Sequence, residues 1–513
     1  MKSQSGLIGA VCLLAALDLH AAEQSGSDQP VQGEVLLSDE VGRVVAEPTA
    51  RLVPGLRPGS ALGLKYQTPS TRKGVRIPSA TLDRLESLWE SVPPSFQLFP
   101  PAPPRQMPYL YNLDAQGNTA VAPGALLNVA PLEPEVQHAK YWLSSYGLRY
   151  SFQQTFTYAS MTDVVRGDDN LAKYNLNVPL KWSVFNAPGA GTAGWFSAQV
   201  QYQSALGDLP SQQTAKTNLG TLTNPTSFWS THSSFRVPEV AWQQSFDSGH
   251  FVALAGVINQ SNYFDANAYA NTGRGQFLNS ALVNSMVLPL PAYNCALDLQ
   301  WQPTSDWYTI LGYSVGNARA GETPGTDFSW ANWSLEWEIG YAPSNFLGLG
   351  PGVYRIQPFI GRAGGASQVD ASVIGGPISS SVQGGLAFNM QQQLGVDSPF
   401  GWFGRFGHAN SKVSAGAKTQ VGTGFVMLAP LQHFGWVPEL SSDLLGAGFV
   451  WSQPSPITKT IYHDNEYVFE TFYTLQLSPL SRLQPDLQIV WNPAFNPDPG
   501  PAVVFQFQFL LRW

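Results

Sequence analysis

The sequence predicts an all-β chain: a transmembrane antiparallel β-barrel of about sixteen strands, preceded by a Pro-rich N-terminal extension that carries short helices. Three observations carry that expectation. Charged residues make up only 12% of the 513, about half the roughly 25% of soluble domains. The longest uninterrupted apolar run, Ala10 to Leu17, is far short of the about 18 residues a helical span requires. From Leu148 onward, apolar and polar residues alternate with a period of two.

Met1 to Ala22 reads as a secretory signal peptide: Lys2, an apolar stretch Leu7 to Leu17, then Ala21 and Ala22 as a small-residue exit, although His20 is an imperfect −3 residue. Cys12 lies early in that stretch, so its removal leaves Cys295 as the one cysteine and no disulfide framework. Residues 23–131 form a Pro-rich extension or linker, including SVPPSFQLFPPAPPRQMP, where prolines remove donors and favour extended chain. Within it Leu82, Leu85, Leu88 and Trp89 fall at helical spacing between Thr81 and Ser91, which suits either a short docking helix or a segment with a periplasmic partner or a plug role. A second helix is expected from Glu133 to Tyr146, with Pro134 in its first turn.

Residues 132–513 form the expected barrel domain. In Leu148 to Tyr158 the even positions carry Leu148, Tyr150, Phe152, Phe156 and Tyr158, against Arg149, Ser151, Gln153, Thr155 and Thr157. The same alternation recurs in Leu335, Trp337, Ile339 and Tyr341, and ends with Val503, Phe505, Phe507, Phe509, Leu511 and Trp513 against Gln506, Gln508 and Arg512. Strands are expected at 148–158, 175–184, 195–203, 239–246, 251–257, 297–303, 307–315, 333–341, 353–361, 382–393, 401–407, 417–427, 445–452, 467–477, 485–491 and 502–513.

Alternation suits a soluble sandwich as well as a membrane barrel. The barrel is favoured because the polar face carries Gln, Ser, Thr and Asn more than Lys and Glu, as a water-filled lumen would, and because connections tend to alternate short and long. With both ends of the barrel on the periplasmic side, the turns 247–250 and 304–306 are periplasmic and the long stretches 204–238 and 258–296 external. The long segment 428–444 breaks that rule and implies either a misplaced strand or an elaborated turn. The amphipathic last strand ending on Trp513 resembles the signal read by the barrel assembly machinery of the bacterial outer membrane, which that resemblance makes a partner along with outer-membrane lipid.

Further motifs sharpen the resemblance. NYFDANAYANTGRGQFLNSALVNS carries Phe264, Asp265, Asn267, Gln276 and Phe277; WFGRFG sets Arg405 between Phe403 and Phe406. The C-terminal stretch runs from Glu466 and Glu470 through Tyr473 to LQPDLQIVWNP, with Gln484, Pro485, Asp486, Gln488, Asn492 and Pro493. Over roughly 135–513 the chain resembles the carbohydrate-selective outer-membrane porins of the OprB type. It departs from them in Ala494, where a Gly is usual, and in the extension 23–131, which has no counterpart. The resemblance implies a sixteen-stranded pore in the outer membrane through which mono- or oligosaccharides diffuse passively.

The residues argue separately. On 333–341 the inward set is Ser334, Glu336 and Glu338, and on the next strand Val353, Arg355, Gln357 and Phe359. Carboxylates and a guanidinium on neighbouring strands can pair and offer donors and acceptors to vicinal hydroxyls; equally, they can be ordinary lumen residues whose pairs contribute little in water. Asp265 and Arg274 lie in the third external connection, either as a constriction or as a loop held by its own contacts. Arg405, Glu470 and Asp486 share inward parity and are pore-lining or substrate-contact candidates, or plain wall. No catalytic group, cofactor or metal is expected: the seven His are scattered, and no local Ser, His and acidic grouping stands out. A net charge of −8 excludes a nucleic-acid partner. General porins, polysaccharide-export barrels, barrel hydrolases and non-conducting surface scaffolds are the competing functions.

Overall fold

The structure, a computed structural model, describes residues 148–512 apart from 188–191, 207–213, 227–233, 248–249, 272, 291–293, 316–329, 331, 363–381, 397, 411–415, 439, 441, 457–460, 479 and 499, together with Leu126, Leu143 and Tyr146. The expected signal peptide, the extension 23–131 with its 81–91 helix (Leu126 apart), nearly all of the 133–146 helix, and Trp513 lie outside the described residues.

Seventeen strand segments form one antiparallel sheet, and the first two are a single strand. Leu148–Tyr150 and Gln153–Met161 face Asn170–Ala187 in one unbroken register, Tyr150 opposite Leu180 and Gln153 opposite Asn177. The break falls where Ser151 donates to the Pro179 carbonyl at 3.2 Å: Pro179 has no N–H to return, so the ladder lapses for two residues. The barrel therefore has sixteen strands. It closes where the last strand, Ala502–Arg512, pairs with the first, Phe509 opposite Phe156 and Arg512 opposite Gln153. Closure leaves no strand edge to be satisfied by lipid or aggregation.

Each predicted strand is present, several being longer than expected. The second runs Asn170–Ala187, the fourth starts at Ser234 and the fifteenth at Ser481. The fourth strand starts early because Pro238 sits at a bulge: the register to its neighbour shifts between Gln199 opposite Glu239 and Gln201 opposite Arg236. That shift turns both Arg236 and Glu239 inward, although their spacing assigns them opposite faces.

Burial alternates along the strands, as in Glu466–Ser478 and Ser481–Trp491. The outward rows carry Phe156, Trp182, Leu311, Trp337, Phe425, Phe449 and Phe505, all exposed. Outward indoles are satisfied by threonines on the neighbouring strand: Trp337 donates to Thr309 at 2.6 Å and Trp402 to Thr423 at 2.9 Å. The two ends of the barrel differ. The end holding Leu148 and Arg512, here called basal, has mostly short turns, and the far end has the long connections 206–233 and 259–293. The segment 429–443 is an elaborated basal turn rather than a misplaced strand. It leaves the barrel through Ala429 at φ 49° and forms the short helix Pro430–His433, with Pro at its first position.

The inward face is not simply wetted, as the Gln- and Thr-rich pattern implied. The described parts of the two long connections, 214–226 and 259–290 apart from 272, turn back into the barrel, and wall residues Phe403, Val468 and Phe472 pack with Tyr269, Phe277 and Leu282 of the infolded chain in one apolar cluster. Phe277 meets Phe403 and Phe472 edge-on, at 5.3 and 4.9 Å between ring centres.

Candidate functional site

The described part of the connection 259–293 is held against the wall at many points, and the wall supplies three kinds of holder. The first is a guanidinium. Arg405, on the strand Phe400–Ala409, is fully buried and reaches Asp265 at 3.2 Å. Its Nη1 donates to the Leu282 carbonyl at 2.5 Å, and its Nη2 donates to the carbonyls of Asp265 at 3.1 Å and Ala270 at 2.7 Å. One cation thus ties three points of the loop, which suits a planar fork with five donors. Asp265 takes a positive φ of 56° and also accepts from Asn389 Nδ2 at 2.6 Å and from the Ser285 amide at 2.6 Å.

The second kind is a carboxylate that captures loop amides. Glu338 accepts from the Asp265 amide at 3.0 Å, the Tyr308 hydroxyl at 2.7 Å and Gln357 Nε2 at 2.6 Å, and lies 3.5 Å from Arg355. Glu470 accepts from the amides of Leu278 and Asn279. Glu466 accepts from those of Leu222 at 2.6 Å, Thr223 at 2.9 Å and Ala494 at 3.0 Å, fixing the other infolded segment just after its helix Ala215–Leu219, which Thr214 and Thr217 cap reciprocally.

The third kind is glutamine, whose side-chain amide complements a peptide group. Gln420 donates to the Ala281 carbonyl and accepts from the Met286 amide, both at 2.6 Å. Gln508 does the same for Gly273 and Gly275, at 3.0 and 3.3 Å. Gln484 donates to the Gln276 carbonyl at 2.5 Å, and Gln488 and Gln506 converge on the Pro225 carbonyl at 2.9 and 2.8 Å. Such pairing satisfies backbone that has left regular structure inside the barrel.

Wall glycines complete the fit by leaving hollows for loop rings. A Cβ on Gly401 would lie 2.0 Å from a Tyr269 ring carbon, and one on Gly312 would lie 2.6 Å from Phe264. Gly401→Ala is therefore expected to expel Tyr269 from its seat at a cost of about 1–3 kcal/mol, as overpacking does. Gly422→Ala, where a Cβ meets nothing closer than 3.5 Å, should be tolerated. Thermal unfolding of the two variants checks this; equal midpoints would mean that the Tyr269 seat is not tight.

The eight residues chosen from the sequence separate into two groups. Asp265, Arg405, Glu338 and Glu470 hold the loop. Arg355, Glu336, Asp486 and Arg274 are less committed to it. Arg355 donates from Nε to Tyr308 at 2.9 Å and from Nη2 to Gln391 at 3.3 Å, while its Nη1 has no hydrogen-bond partner among the described residues. Asp486 accepts from Gln488 and Gln506 through Oδ1, at 3.0 and 3.3 Å, and its carboxyl group faces that of Glu470. Glu336 shares a cross-strand row with Gly312 and Asp298. Arg274 is half-buried and donates to Asn175 at 3.4 Å, across to the second strand and not to Asp265.

Sequence reasoning passed over Glu466, Glu239 and Asp298 as site residues. Asp298 accepts from Gln260 at 2.9 Å, and Glu239 from Ser197 at 2.7 Å and the Tyr263 hydroxyl at 3.3 Å. Parity on 297–303 and on 467–477 could have flagged Asp298 and, one residue beyond the predicted start, Glu466. Parity on 239–246 could likewise have flagged Glu239, which shares its face with the buried Ala241, Gln243 and Ser245, whereas nothing local announces the bulge that turns Arg236 inward.

A closed sixteen-stranded barrel narrowed from within by a folded-in third connection is the architecture of a porin. Residues 190–511 match the carbohydrate-selective porin, OprB family, and the chain belongs to that family. It is 25% identical to Porin AaxA of Chlamydia abortus over 334 residues, 64% of this chain and 67% of that one. It is 36% identical to an uncharacterized protein of Aquifex aeolicus over 63 residues, 12% of this chain and only 20% of that one. The fold is similar to the high-pH structure of Pseudomonas putida OprB, with a TM-score of 0.59 at 15% identity, covering 77% of this chain and all of that one.

Proposed function

We propose that the chain forms an outer-membrane pore for the passive diffusion of mono- or oligosaccharides, with selectivity set where the connection 259–293 narrows the lumen. The observation that carries this reading is that loop itself. It is clamped by Arg405, Glu338 and Glu470, so the passage beside it has a fixed cross-section. Fixed donors and acceptors of both charge signs suit a neutral polyol better than an ion. Arg274, half-exposed on the loop, is the residue to touch a passing sugar; Arg355, Glu336 and Asp486 shape the wall behind it. Family membership supports the sugar substrate. The amphipathic last strand, Ala502–Arg512, supports delivery by the barrel assembly machinery, the outward aromatic rows support a lipid environment, and the pattern of Lys2 to Ala22 supports export as a signal peptide.

Purified protein in planar bilayers is expected to give discrete conductance steps that a permeant sugar blocks, and liposomes carrying it should swell in sugars up to a size limit. Absence of steps would end the pore reading; steps indifferent to every sugar would make it a general porin. Arg274→Ala should weaken sugar block with little change in open conductance. Arg355→Ala, which removes the guanidinium 3.5 Å from Glu338 and the Nε–H that donates to Tyr308, should alter both. If neither replacement changes block, the selectivity region lies elsewhere.

A further inference from the structure

The basal rim is chemically lopsided. The turns after the fourth and sixth strands are polar, with Asp247 and His250 in one and Thr304, Ser305 and Asp306 in the other. Three later basal turns instead carry large exposed apolar tips: Leu347 is 83% exposed, Val396 57%, and in the elaborated turn Phe434 is 57% and Trp436 73%.

The elaborated turn is a built element. Its base is closed by the Ala429 amide donating to the Asp443 carbonyl at 2.9 Å. The amides of His433, Phe434, Gly435, Trp436 and Val437 all find carbonyls within the turn, at 2.9–3.1 Å, and Gln432 Nε2 donates to the Pro438 carbonyl at 2.8 Å. A hook with five successive backbone amides satisfied inside it can leave bulk water at reduced cost. Its aromatics form a chain that begins on the outward wall. Phe400, an outward residue level with Met427, meets the His433 ring edge-on at 6.3 Å; His433 meets Phe434 at 5.6 Å, and Phe434 meets Trp436 at 5.7 Å. The outward wall below Phe400 continues through Phe425 and Leu445.

We propose that the hook Pro430–Val437 is a membrane anchor, with Phe434 and Trp436 seated among the phospholipid headgroups and upper acyl chains of the basal leaflet. This rests on the reading of the barrel as lipid-embedded. Its basis is the unbroken aromatic path from the lipid-facing wall into the hook, together with the amphipathic indole and its preference for the membrane–water boundary. Among the described basal turns the large apolar tips lie on one arc of the rim, which makes the attachment one-sided, with Asp247, His250 and the polar turn 302–306 left in water.

Nitroxide labels test it in the full-length chain with Cys12 and Cys295 replaced. One label goes at Trp436→Cys, one at Phe425→Cys as the wall standard and one at His250→Cys as the water standard, all in vesicles of phosphatidylethanolamine and phosphatidylglycerol. Accessibility to oxygen relative to a water-soluble nickel chelate should be severalfold higher at 436 than at 250, and of the order found at 425. A lipid-like value at 425 with a water-like value at 436 overturns the hook and leaves the embedded barrel standing. Water-like values at both overturn the membrane reading itself. A label at 436 that is immobilised, shielded from both reagents and released when unlabelled protein is added identifies a contact between copies and overturns the lipid assignment.

Discussion

Arg405→Ala is expected to open the pore and to abolish most of its discrimination between sugars. The replacement removes the cation that neutralises Asp265 at 3.2 Å and unties the Leu282, Asp265 and Ala270 carbonyls together. Breaking one side of a buried pair costs about 3–5 kcal/mol, because the remaining charge is left without compensation. Here the most direct relief is for the loop to leave the wall. Single-channel conductance should rise, sugar block should fall sharply, and the temperature at which the folded barrel loses its fast electrophoretic mobility should drop. Arg405→Lys keeps the charge without the planar fork and should fall between. Wild-type conductance and block in Arg405→Ala would mean that the loop is held by its apolar contacts alone, through Phe277, Phe403 and Phe472.

The second large effect is expected at Glu466. Its carboxylate accepts from three backbone amides, those of Leu222 and Thr223 in the other infolded segment and that of Ala494 in the loop before the last strand. Glu466→Ala leaves three donors without an acceptor, each costing about 1–3 kcal/mol where water does not reach. Hydrogen exchange at Leu222 and Thr223 should accelerate by about a hundredfold, the equivalent of roughly 3 kcal/mol of local opening. Protection at Gln276 to Asn279, which Glu470 and Gln484 hold independently, should stay as it was. Unchanged exchange at Leu222 and Thr223 would show that the segment is fixed by its capped helix and by Gln488 and Gln506 at Pro225.

These two sites show what the pattern of residues could and could not announce. Sixteen strands were legible because lipid and lumen impose opposite demands on alternate residues, and the demand repeats along every strand. Inward parity singled out Arg405, Glu338, Arg355, Glu470 and Asp486 for the same reason. Their tasks were not legible. Glu338 and Arg355 pair across neighbouring strands, as their positions suggested, but Glu338 also receives the Asp265 amide from a connection 73 residues away in sequence. Asp265 and Arg274, nine residues apart in one loop, go to opposite walls, one to Arg405 and the other to Asn175. Local deviations were equally hidden: Pro179 interrupts the first strand from the partner side, and the bulge at Pro238 turns Arg236 inward against the parity of its strand.

The scarcity of charge and the period of two determine, from the sequence alone, a closed barrel with a lipid face and a polar face, because those constraints act on each residue through its immediate surroundings. What that polar face is for was decided by the tertiary structure. Gln420, Gln484, Gln488 and Gln508 look like residues that prefer water, yet each spends its amide on the backbone of a chain folded into the lumen. A side-chain amide offers the same donor and acceptor to a peptide group as to water, and only the path of the loops in three dimensions says which of the two stands opposite.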